Sequence, residues 1–195
     1  MKIKHASILS ATAVALLLLS GAAQAGDHDG HGGLCSNATL KGAFEFIGHG
    51  VILGLIGDDG KVHPYDPPLI LDDVALVTFD GAGKFDRTDF GMIGGLPKGG
   101  KTTFNPKQEG TYSVNPDCTG TMKIVYKPGG AVPAGVETDL NIVIASDGTL
   151  VESVVYRAVT VQGSSGNKDI ACPTHCEQGV QEYFEGRKIL VYGFR

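Results

Sequence analysis

The run VALVTFDGAGKFDRTDFGMI, residues 74–93, decides how this chain folds. It reads as two strands, 74–80 and 84–93, joined by Asp80-Gly81-Ala82-Gly83 as a tight hairpin, because Asp and Gly tolerate the positive φ such turns require. The same chemistry recurs at Ser146-Asp147-Gly148-Thr149, and Asn115-Pro116-Asp117-Cys118 turns the chain between a central pair of strands. Upstream, Leu40, Gly42, Phe44 and Phe46 alternate with Lys41, Ala43, Glu45 and Ile47, the period of two that marks a strand. Further strands are expected at 110–115, 119–126, 138–145, 150–162 and 188–194, with weaker ones at 51–56 and 101–105. Two longer loops are expected, 57–73 and 163–186, the second with a short helix around 177–185.

Eight or so antiparallel strands linked by short hairpins have edges that must be closed or covered. The fold expected is all-β, a single antiparallel up-and-down β-barrel of about eight strands. The 29 glycines and the absence of Trp suit many tight turns better than a helical bundle. An eight-stranded outer-membrane barrel is the rival. Such barrels need aromatic girdles and an outward apolar band, whereas this chain has no Trp, 8 Phe, 6 Tyr and four cysteines.

The first 25 residues carry Lys2 and Lys4, an apolar run from Ala11 to Leu19, and Ala23-Gln24-Ala25. That is the pattern of a cleavable signal peptide, so the mature protein is expected to begin at Gly26, outside the cytoplasm, in the periplasm or beyond. The domain plan is then a signal peptide (1–25), a polar His/Gly/Asp tail (26–34) expected to be disordered, and one domain (35–195). No later segment is long and apolar enough for a membrane helix. The formal net charge of −5 becomes more negative by two when Lys2 and Lys4 leave, which argues against nucleic acid and anionic membrane surfaces as partners.

All four cysteines lie in the exported part, and in an oxidising compartment an even number reads as two disulfides with three possible pairings. Cys172 with Cys176 would close a small loop around Pro173, leaving Cys35 with Cys118 to tie the start of the fold to its middle. A metal site at Cys172-Pro173-Thr174-His175-Cys176 is disfavoured, since zinc needs reduced thiolates and usually four ligands.

At Thr78-Phe79-Asp80-Gly81-Ala82-Gly83-Lys84, and at GTYSVNPDCTGT from Gly110 to Thr121, the chain resembles a group of small exported bacterial proteins with no assigned activity. These are similar to barrels of the calycin and allene oxide cyclase type. The resemblance covers roughly residues 35–162, includes the opening Cys35-x-x-x-Thr39-Leu40-x-Gly42, and stops short of the 163–186 loop. It implies a calycin-like fold and adds weight to the Cys35–Cys118 pairing. It implies no reaction, and no catalytic residue of allene oxide cyclase can be placed on this chain.

Three sets of residues point to chemistry. On the strand 150–162, Val151, Ser153, Val155, Arg157, Val159 and Val161 share a face. If that face is interior, Arg157 is a desolvated cation needing Glu45, Asp89 or the anionic head of a ligand as partner, with Tyr112 and Tyr156 lining the cavity or its rim. An Arg paired structurally or reaching solvent is the alternative, since one slip of register inverts every face. At the mature N-terminus, the amine of Gly26, the amides of Asp27 and His28, and the His28 imidazole can supply four nitrogens in a plane, a set suited to Cu(II) or Ni(II); otherwise the tail is a solvated spacer. Asp58-Asp59-Gly60 and Asp72-Asp73 match no EF-hand spacing and read as turn residues.

No hydrolase elbow, zinc-protease helix or phosphate-binding loop is present in the sequence. The function expected is binding of a small apolar or amphipathic ligand in the barrel, an idea that fails where Phe44, Phe46, Leu140 and Ile142 fill the interior. An isomerase or cyclase of the allene oxide cyclase kind is the enzyme alternative. It requires a carboxylate inside the cavity near a polar partner, with Glu45 as the candidate. An envelope protein acting through its metal-binding tail is the third reading.

Overall fold

The computed structural model describes residues 33–164 and 169–190. The signal peptide and the tail with Gly26, Asp27 and His28 lie outside the described residues, as does the end of the strand expected at 188–194. A 3-10 turn at Asn37–Thr39 leads into β1 (Lys41–Ile56), β2 (Val62–Asp80), β3 (Lys84–Ile93) and the two-residue β4 (Leu96–Pro97). A second 3-10 turn, Lys98–Gly100, precedes β5 (Asn105–Val114), β6 (Thr119–Tyr126), β7 (Glu137–Ile144) and β8 (Leu150–Thr160). The short β9 (Gly163–Ser164) and β10 (Ala171–Cys172) pair with each other, and β11 (Cys176–Lys188) ends the described fold.

Strands β1, β2, β3, β5, β6, β7, β8 and β11 pair antiparallel in that order, and β11 returns to β1, so the sheet closes as an eight-stranded up-and-down barrel. Closure removes the sheet edge except at the start of β2, residues 62–70, which β3 does not reach. Both expected disulfides are formed, Cys35–Cys118 and Cys172–Cys176, which suits an oxidising compartment.

Besides the weak strand expected at 101–105, where residues 101–104 are not strand and β5 begins at Asn105, two segments differ from the expectations. Residues 177–185 form a strand within β11, the stave that closes the barrel, instead of a helix. The register explains why its alternation is hard to see. Gly186 pairs with Phe46, and Phe184 pairs with Gly48; a Cβ on Gly186 would stand 2.3 Å from the Phe46 ring, and one on Gly48 would stand 2.3 Å from Phe184. Phe85 stands opposite Gly110 in the same way. In each pair the glycine leaves the space its cross-strand phenylalanine fills, so inward positions that carry no apolar side chain are still core. The second difference is the 57–73 loop, most of which is strand. Its prolines are accommodated because β2 pairs with β3 only over residues 71–79 and has β1 alone as neighbour before that, with residues 65–68 bulging where the β1 register shifts between Ile52 and Gly54.

The two ends of the barrel differ. At the hairpin end, where β2–β3, β5–β6 and β7–β8 turn, Phe79 packs edge-on against Phe44 (5.2 Å) and Tyr112 (5.1 Å) and tilts against Phe85 (5.5 Å). Leu40 is fully buried, and the Tyr112 hydroxyl lies 2.9 Å from its carbonyl and 3.0 Å from that of Asn37. With the Cys35–Cys118 bond, this N-terminal strap closes the end. The opposite, loop end carries the β1–β2, β3–β5, β6–β7 and β8–β11 connections, where side chains of the barrel wall give way to polar groups.

Candidate functional site

The polar groups of the loop end are already present in the alternation of β2 and β3. Asp73, Ala75, Val77 and Phe79 share the inward face of β2, and Phe85, Arg87 and Asp89 that of β3. Moving away from the hairpin, each face runs from aromatic or aliphatic to charged. Gln108 of β5 and Tyr126 of β6 face the same space, and Lys98 reaches it from the β3–β5 connection. Asp89 is fully buried, and Gln108, Asp73, Arg87 and Tyr126 nearly so.

These side chains form one connected network. Arg87 donates to Asp73 at 2.5 Å and pairs with Asp89 at 2.9 Å; it also bonds Gln108 and, at 3.3 Å, the Tyr126 hydroxyl. Lys98 donates to Asp73 at 2.6 Å, to Tyr126 at 2.7 Å and to Asp89. Tyr126 donates to Asp89 at 2.7 Å, and the Gln108 amide donates to the second Asp89 oxygen. Burial would raise the Asp89 carboxyl, but the Arg87 and Lys98 charges outweigh it and hold it below the carboxylate range. Burial pushes Asp73 up against the pull of the same two cations, and it pushes Tyr126 up to about 12. Two cations against two carboxylates make the network neutral, which is the condition for charge to stay inside a barrel.

Next to the network is a cavity of about 80 Å³. Ile52, Leu71, Ile124, Val159 and Val180 supply apolar wall; Asp73, Arg87, Lys98, Tyr126 and Glu182 supply the polar part. Glu182, half-buried on the inward face of β11 opposite Gly50, differs from its neighbours. No hydrogen bond or ion pair from the described residues reaches its carboxyl. Burial, with a contribution from Asp73, pushes it up to about 7. A carboxyl poised near neutrality in a cavity, beside two cations and a phenol, can bind a donor or move a proton.

At the rim, His63 bridges Asp59 (Nε2 to Oδ1, 3.2 Å) and Asp169 (Nδ1 to Oδ2, 3.0 Å), joining the β1–β2 hairpin to the segment before β10. Those hydrogen bonds, Asp169 first, raise the imidazole pKa. A larger depression of about 580 Å³ lies outside the barrel over Gly110, flanked by Lys84, Lys123 and Glu109. It is an open surface of mixed charge on which no buried polar group converges.

The four residues singled out for the barrel ligand are not brought together. Arg157 lies at a register shift between β7 and β8, half-exposed, and pairs with Asp139 (2.9 Å), Glu177 (2.6 Å) and Glu137 (3.5 Å). Glu45 and Tyr156 are exposed on the outer face, and Tyr112 of β5 is buried at the hairpin end, where its hydroxyl donates to the N-terminal strap. Asp89, named as a possible partner for Arg157, is inside with Arg87. Glu182, Lys98, Gln108 and Tyr126 were not singled out, and Asp73, read with Asp72 as a turn residue, is instead buried on the inward face of β2. The shared face of Phe85, Arg87 and Asp89 was the available signal, since a charge pair in line with a core aromatic puts those charges indoors.

Comparisons with family models, curated proteins and solved structures gave no match. The class of protein is set by architecture: a closed, antiparallel, eight-stranded β-barrel with two disulfides, compatible with a calycin-like fold.

Proposed function

We propose that this barrel binds a small amphipathic molecule at its loop end, the polar head beside Glu182 and the apolar part toward the mouth. The observation that carries this reading is a half-apolar cavity whose polar floor holds a carboxyl that no described residue pairs with. Phe44, Phe46, Leu140 and Ile142 are all buried and fill the hairpin half, so the ligand expected among them has no room there, and the loop-end cavity takes the place of the barrel interior in this reading. A volume of about 80 Å³ suits a head group or a few waters, each taking ~30 Å³ in the liquid. Exposed charges at Glu45, Asp72, Asp86, Glu109 and Glu152 on the outer face support a barrel working in an aqueous exported space.

Native mass spectrometry of the exported protein, purified without organic solvent, should show a small-molecule adduct that solvent extraction removes. No adduct, together with no thermal stabilisation by short-chain amines, alcohols or acids, overturns the reading.

A second reading, an isomerase or cyclase, loses its candidate Glu45, whose exposure to solvent counts heavily against it, and rests instead on Glu182, a carboxyl in the cavity near polar partners. It predicts accelerated cyclisation of an unsaturated epoxide, abolished in Glu182→Gln while binding persists. A rate equal to that in buffer would exclude it.

A further inference from the structure

We propose that the loop-end cavity selects a ligand head that is cationic and donates hydrogen bonds, a primary ammonium or an amidinium, and that Glu182 receives it. This rests on the binding reading above and adds the chemistry of the head.

The argument is a balance of donors and acceptors. An ammonium has three N–H donors, and those of Lys98 are matched by Asp73, Asp89 and the Tyr126 oxygen. The Arg87 guanidinium is engaged by both aspartates, Gln108 and Tyr126. Tyr126 and the Gln108 amide give their protons to Asp89. The two charged donors facing the cavity are therefore turned toward the aspartates, and of the neutral lining groups the Gln178 amide gives one proton to Tyr65. Of the charged groups lining the cavity, the one with no hydrogen bond or ion pair from the described residues is an acceptor, the Glu182 carboxyl.

Charge gives the same answer. Asp73 and Asp89 balance Arg87 and Lys98, so ionised Glu182 leaves the site one negative charge in excess. Without a ligand, burial keeps that charge suppressed by holding the proton to about neutral pH. A cation docked against the carboxyl restores the ionised form and releases the proton. The charged and titratable groups lining this space are Asp73 from β2, Arg87 from β3, Lys98, Tyr126 from β6 and Glu137 from β7; β1 and β8 offer Ile52, Ala158 and Val159, which do not titrate.

The test uses three probes of one size, butylamine, butanol and butyrate, titrated at pH 8 into ¹⁵N-labelled exported protein with its disulfides intact, chemical shifts giving each Kd. Butylammonium should perturb cavity residues and bind at least tenfold more tightly than butyrate. Its affinity should rise between pH 6 and pH 8 as Glu182 ionises. Glu182→Gln, nearly isosteric and checked for fold by its own spectrum, should cost butylammonium at least tenfold, leave butanol unchanged and abolish the pH dependence. Butyrate binding as tightly as butylammonium, or a wild-type affinity flat with pH, overturns the cationic head while leaving the binding function in place. If none of the three probes perturbs the cavity, both fall.

Discussion

Glu182 and His63 are single side chains whose protonation is set by the fold, and each gives a pH dependence with a definite sign. Folded Glu182 keeps its proton up to about 7, whereas the ordinary value is 4.5. Between those values the folded state holds one proton more than the unfolded state, so stability falls as pH rises through that window and levels off above it. Glu182→Gln removes this loss. It should melt a few degrees above wild type at pH 8 and match it near pH 4.5, read by thermal unfolding across the pH range; parallel profiles would show that the carboxyl is not desolvated. His63 acts in a later window. Its pKa is raised by Asp169 and Asp59, so the tie it makes is complete below pH 6.5 and is lost as pH climbs through the folded value. The β1–β2 turn, held by the Gly57 amide on Lys61 O and the Gly60 amide on Gly57 O, should lose hydrogen-exchange protection in that range, after correction for intrinsic exchange. A His63→Gln variant should show no such change, and equal pH sensitivity in the variant would rule the bridge out.

At the scale of elements, the glycines facing phenylalanine across β1 and β11 make a prediction whose sign is diagnostic. Alanine in place of a strand-interior glycine ordinarily stabilises by roughly 0.5–1 kcal/mol. Gly48→Ala puts a methyl group 2.3 Å from Phe184, and overpacking of this kind costs about 1–3 kcal/mol. Urea denaturation should show Gly48→Ala destabilised, with part of the loss recovered when Phe184→Leu is added. A stabilised single variant would mean that the strands separate freely at this point. The same pairs show what the sequence could and could not reveal. β6, β7 and β8 were legible because their inward residues are mostly apolar, and β3 because its hairpin with β2 carries Asp-Gly and Phe85 leads its inward face. β11 was not, because Val180, Glu182, Phe184 and Gly186 face inward and two of those four carry no apolar side chain. Losing β11 also hid Glu182. A carboxyl assigned to a loop helix gives no reason to look for it inside a barrel, and Arg157 was overvalued because a shift between β7 and β8 turns it outward to meet Asp139.

Across the whole molecule the barrel divides its labour between its ends. The hairpin end is aromatic, filled and strapped by the N-terminal segment; the loop end is charged, keeps a cavity and is framed by the long connections, where binding residues generally reside. A prediction about the disulfides follows from that separation. Cys35–Cys118 closes a span of 83 residues and Cys172–Cys176 one of 4. In the chain-entropy treatment the long loop contributes about 4–5 kcal/mol and the short one about 2 kcal/mol. Replacing Cys35 and Cys118 together by Ser should therefore lower unfolding free energy by the larger amount, while Cys172 and Cys176 replaced together cost roughly half as much. The functional effects should run the other way. The strap lies at the far end of the barrel from Glu182, so its variant, held below its melting temperature, should bind an alkylammonium probe as wild type does. The Cys172–Cys176 loop adjoins the start of β11 and follows Asp169, the partner of His63, so its loss should loosen the rim and speed probe dissociation. Relaxation-dispersion or exchange NMR on the bound probe measures that rate. A strap variant that loses affinity in proportion to its lost stability would show instead that the two ends unfold as one unit and that the cavity has no independence from the core.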